Sequence, residues 1–142
     1  MLRKQTSEID PADWFAFAGE RLRGADVLWH HEGLTGLGIE ALQEAAERYL
    51  KGFLIAKGWQ LVRTHDLEVL IQEAIKLDPA FGRFIPMSTQ LTEDFFAQHY
   101  PGEDMLHVGD NYESLRKQVE EMLELIKSNL PQYFPKSLSP HA

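Results

Sequence analysis

Apolar residues recur at helical intervals in at least three stretches of this chain. In residues 38–57, Leu42, Ala45, Ala46, Tyr49, Phe53 and Ala56 return every three or four positions, so they share one face of a helix. Leu50 and Leu54 widen that face beyond a narrow seam, as suits a helix packed on more than one side. Glu40, Glu44, Glu47, Arg48 and Lys51 take the other side, and Glu44 to Arg48 and Glu47 to Lys51 are acid-before-base pairs at a supportive spacing. Gly58 marks the stop, with Lys57 in the last turn where a cation suits the helix dipole.

An earlier helix is predicted over residues 11–30. Asp10 caps it, Pro11 opens it and Asp13 lies in its first turn. Trp14, Ala18, Leu22, Ala25 and Trp29 form its inner stripe, with Leu28 beside them. Gly19 and Gly24 each weaken a helix by about 1 kcal/mol relative to Ala, and close approach of another helix is the expected compensation. After a link over residues 59–64, Thr64 is expected to cap a third helix over residues 65–77, buried through Leu67, Leu70, Ile71 and Ala74. Gly82 and Pro86 predict an irregular passage over residues 80–90 with one short turn of helix, followed by a short helix over 91–100 stopped by Pro101. The cleanest period belongs to the last helix, residues 111–130, where Tyr112, Leu115, Val119, Met122, Ile126 and Leu130 align behind an Asp110 cap. No strand is evident. The reading is an all-α, up-down antiparallel bundle of four long helices and a short one, with residues 1–9 as a loose lead-in, 10–131 as one domain and 132–142 as a loose tail.

Composition adds boundaries. A chain of 142 residues with 44% hydrophobic and 25% charged content fits one globular domain. It has no cysteine, which excludes disulfides, thiolate metal sites and thiol nucleophiles. No apolar run approaches the roughly 18 residues that cross a bilayer, and the polar N-terminus lacks a signal core, so a cytoplasmic, membrane-free location is expected. A net charge of −8 repels phosphate backbones, which argues against nucleic acid as a stand-alone partner.

Several of these residues also fit a family pattern. Glu47, Arg48, Leu50 and Lys51 in a long helix, the stop at Gly58, and Thr64, His65, Asp66 and Leu67 opening the next helix resemble the HEPN domain (higher eukaryotes and prokaryotes nucleotide-binding). Trp14, Ala18, Leu22, Ala25 and Leu28 fit its first-helix pattern, and Tyr100, Pro101 and Gly102 fit its stop before the last helix. The resemblance covers roughly residues 10–130, with Arg21 standing where an acid is frequent. It implies a homodimer, a bound nucleotide as the one candidate cofactor, and a non-catalytic binding and assembly role. The implied partner is a minimal nucleotidyltransferase, in toxin–antitoxin-like or nucleotide-related systems.

Candidate chemistry is sparse. His65, with Lys51, Lys57 and Arg63 nearby in sequence, is the candidate phosphate or base contact, since a helix N-terminus favours anions. Glu47, Leu50, Thr64, Asp66, Tyr100 and Pro101 are read as structural motif residues. Some HEPN proteins are metal-independent ribonucleases carrying Arg, four to six residues, then His. Arg23 and His30 meet that spacing and form the catalytic alternative, whereas Arg83 and Arg116 have no suitably placed His. A purely structural dimer is the third reading. His30 and His31 are adjacent and diverge on a helix, so no metal site is expected. Phe81, Phe84, Phe95, Phe96 and Tyr100 are read as core and interface, because their charged neighbours are acidic and base stacking favours basic ones.

Overall fold

A computed structural model describes residues 5–31, 35–97 and 111–135. Among them the secondary structure is entirely helical: α1 (Pro11–His30), α2 (Thr35–Ala56), α3 (Leu67–Leu77), a short 3-10 segment (Pro79–Phe84), α4 (Ile85–Ala97) and α5 (Tyr112–Asn129). Tyr100, Pro101 and Asp110 lie outside the described residues.

The central element is α2, which touches α1, α3, α4 and α5. Its apolar face, from Ile39 and Leu42 through Phe53 and Leu54, is buried, and Phe53 meets Phe81 of the 3-10 segment at 4.8 Å between ring centroids. Phe15 of α1 lies against Gly52, while Trp29 lies against Gly38, so α1 and α2 run antiparallel. Trp29 also stacks on Tyr112 at 4.4 Å, and Phe15 meets Tyr133 and Phe134 beyond α5. Hence α5 runs antiparallel to α1 and parallel to α2.

The stop of α2 follows the expected chemistry. Gly58 has φ 93°, Trp59 N–H donates to the Leu54 carbonyl at 2.9 Å, and Gly58 N–H donates to that of Ile55 at 3.0 Å. This pair of bonds is the Schellman closure, and the left-handed backbone is open to glycine without a Cβ clash.

Four expectations change. The buried aromatic at the start of α1 is Phe15, while Trp14 is half-buried and donates its indole N–H to the Glu8 carbonyl at 2.8 Å. Gly19 and Gly24 are not the close-approach positions, since a Cβ at Gly24 would meet nothing within 4 Å and one at Gly19 only ordinary contacts. That role belongs to Gly52, where a Cβ would stand 2.6 Å from the Phe15 ring. The cap of α3 is Asp66, accepting from Glu68 N–H at 2.9 Å; Thr64, two residues earlier, accepts from Asp66 N–H at 3.1 Å. Residues 79–97 are helical almost throughout, because Asp78 caps the 3-10 segment and Pro86 falls in the first turn of α4, where a missing N–H breaks no helical bond.

Both flanks expected to be loose are anchored where described. Ser7 N–H donates to Asp13 at 2.9 Å, Glu8 binds Arg63, and the chain packs through Phe134.

Candidate functional site

Polar residues on α2 at four-residue steps, Gln43, Glu47 and Lys51, are all buried. The acid–base pair expected on the solvent side is therefore internal, because the link over residues 59–66 and Trp14 of α1 cover it. Lys51 Nζ binds Glu47 Oε2 at 3.0 Å and lies 5.6 Å from the centre of the Trp14 ring. Glu47 also faces His65 Nδ1 at 3.0 Å, and Gln43 Nε2 donates to the His65 carbonyl at 3.3 Å. A carboxylate only accepts, so the contact places a hydrogen on Nδ1 and leaves Nε2 of a neutral ring as an acceptor. The His65 side chain is 88% exposed.

Next to this row, Glu44 Oε2 takes both Arg21 Nε at 2.6 Å and Arg48 Nη1 at 3.4 Å. Gln43, Glu44, Glu47, Arg48, His65 and Phe95 enclose a cleft of ≈ 170 Å³. Arg48 also borders a second cleft of ≈ 290 Å³, beside Trp14 and Phe17.

Of the sequence-predicted contacts, only His65 and Lys51 converge, and they do so through Glu47 rather than side by side. Lys51 is enclosed with its counter-ion. Lys57 is exposed at the C-terminal end of α2, and exposed Arg63 is held by Glu8 at 2.8 Å. Leu50 is a core residue. Gln43 did not stand out in the sequence as a wall of this cleft: burial of a Gln on a helix flank depends on what the following link covers.

The residues of the catalytic alternative are not joined. Arg23 and His30 are both exposed and separated by about 10 Å of helix rise. His30 Nε2 stands 3.7 Å from Glu113.

A separate polar network ties α1 to α5. Asp26 accepts from Tyr112 Oη at 3.1 Å and from Arg116 Nε and Nη2 at 2.9 and 3.1 Å. Arg116 Nη1 reaches Glu120 at 2.9 Å. Burial opposes the charge on Arg116, yet its bonds to Asp26 and then Glu120 outweigh it and raise its pKa. Burial, then the Asp26 charge and hydrogen bond, push the Tyr112 hydroxyl well above the ordinary phenol range. Burial likewise raises Tyr49, against the lowering effect of Arg116 and Arg23.

Among the described residues, no three His, Cys, Asp or Glu converge on a point that could hold a metal, and no helix is long and apolar enough to cross a membrane. No curated protein and no solved structure gives a match. The family model described as the HEPN domain matches residues 12–129, from the first turn of α1 to the last residue of α5, and so takes in the whole described bundle. With the match covering the helices, the Gly58 stop and the capped link alike, this chain belongs to the HEPN domain family.

Proposed function

We propose that the domain is a non-catalytic nucleotide-binding and assembly module that acts as a homodimer, working with a separately encoded minimal nucleotidyltransferase in a toxin–antitoxin-like or nucleotide-related system. The partner and the system rest on the family resemblance. The observation that carries the non-catalytic part is the setting of Arg23 and His30: both side chains are exposed on α1, and His30 Nε2 faces the Glu113 carboxylate at 3.7 Å. On α5, Arg116 is bound to Asp26 and Glu120, and its following turn holds Glu120 and Glu121 rather than histidine. Support for assembly comes from Phe17, Val27 and Leu37, large apolar side chains exposed on α1 and α2.

The test combines light scattering with thermal melts. A dimer that Phe17→Glu with Leu37→Glu converts to a folded monomer supports the assembly role, and a monomeric wild type refutes it. A nucleotide at about 100 times its dissociation constant stabilises by about 2.7 kcal/mol. No shift with any nucleotide would leave a purely structural dimer. RNA cleavage abolished by Arg23→Ala and His30→Ala would establish the ribonuclease instead.

A further inference from the structure

Gly24 sits inside α1, where glycine is less favourable than alanine by about 1 kcal/mol. Nothing within the chain calls for it, since a Cβ there would meet no atom within 4 Å. It lines an open cleft of ≈ 470 Å³ between α1 and α2, together with Leu28, Leu37 and Ala41, and with Glu40 at the border. A cavity of about 150 Å³ holds a benzene ring, so this cleft has room for an aromatic side chain.

Such a side chain stands on the same face. Phe17 is 44% exposed, and with Arg48 it lines a neighbouring cleft whose other walls, Glu20 and Arg21, also line the first. From Phe17 to Leu28 the helix rises about 16 Å, so projection and recess lie on one surface without reaching each other. Charge follows the same division: basic Arg48 accompanies Phe17, and acidic Glu40 borders the recess. Arg21, between them, is already matched by Glu44 at 2.6 Å. A surface that carries both halves of a contact is complementary to itself, and one two-fold rotation then makes both contacts at once.

We propose that a second copy of this chain docks on this face about a two-fold axis near Arg21, with the two α1 helices antiparallel and each Phe17 entering the other copy's cleft over Gly24. Arg48 of each copy then approaches Glu40 of the other. The docking rests on the homodimer reading above and adds to it the surface and the reciprocal contact.

Gly24→Leu separates this docking from a role in the fold. Within one chain the new side chain enters open space and favours the helix, so the variant is expected to keep its helical circular dichroism. It fills the recess, however, and the dimer dissociation constant, read by sedimentation over a dilution series, is expected to rise at least about tenfold. Phe17→Ala, which removes the projection, is expected to do the same. The chain has no cysteine, so Arg21→Cys beside the axis is expected to give a disulfide-linked dimer under mild oxidation, whereas Glu124→Cys, exposed on α5, is not. Unchanged dimerisation of a folded Gly24→Leu overturns this docking and leaves a dimer through another face standing. Equal crosslinking at both cysteine positions, or none at Arg21→Cys, overturns it as well, even where the other variants fail to fold. A wild type that stays monomeric overturns both readings and leaves the face to a different protein.

Discussion

Glu47 and Lys51 form an ion pair inside the protein, Nζ to Oε2 at 3.0 Å, with side chains only 6% and 5% exposed. The pair sits one turn of α2 from Gln43 and is roofed by His65 and Trp14. Taking two charges out of water is costly unless each is matched, so the two side chains depend on one another.

Removing one partner should expose that dependence. Lys51→Met leaves Glu47 buried with His65 as its remaining contact, and a loss of about 3–5 kcal/mol is expected in urea denaturation. Glu47→Leu combined with Lys51→Met should cost less than the single change. A double variant as unstable as the sum of the two singles would show that the charges act independently.

Gly52→Ala should destabilise, although alanine favours a helix. The new Cβ would stand 2.6 Å from Phe15 Cε1 and 2.9 Å from Cδ1, and the ring cannot swing freely because Tyr133 and Phe134 bound it. Overpacking of this kind costs about 1–3 kcal/mol against about 1 kcal/mol of helix preference. Adding Phe15→Leu should recover part of the loss in thermal melts.

At alkaline pH the Tyr112 hydroxyl sets a third test. Its folded pKa is raised, so the protonated phenol stabilises fully below the unfolded pKa, and that contribution is lost as pH rises from there toward the folded value. Tyr112→Phe keeps the stacking on Trp29 but loses the bond to Asp26, at about 1 kcal/mol near neutrality. Above the ordinary phenol range the variant should lose less stability than the wild type; parallel curves would refute the role.

Asp78 gives the opposite sign at low pH. Its pKa is lowered, first by the hydrogen bond from Asn129 and then by that from Ala80 N–H. Its contribution is therefore present above the ordinary aspartate range and lost as pH falls through the folded pKa. The stability gap between wild type and Asp78→Ala should be wide at neutrality and narrow in acid. A gap independent of pH would point to the cap geometry alone.

The helical periods were legible because each apolar stripe marks an element however the elements pack. The Gly58 stop was legible too, since a left-handed turn selects glycine locally. What was hidden depended on distant chain. Glu47 and Lys51 read as solvent-facing until the link over residues 59–66 folds back over them. Gly19 and Gly24 could not be told from Gly52 without knowing where Phe15 points. Pro86 read as a breaker because its tolerated place in a first turn depends on where the turn begins.

The antiparallel pairing of α1 with α2 bears on the order of assembly. Those helices are neighbours along the chain and pack along their lengths, from Phe15 on Gly52 to Trp29 on Gly38, so their docking closes only short loops. Asp26 and Arg116, by contrast, join positions 90 residues apart. The hairpin is expected to nucleate folding and α5 to close last, with substitutions in the hairpin slowing refolding and substitutions at Arg116 chiefly hastening unfolding.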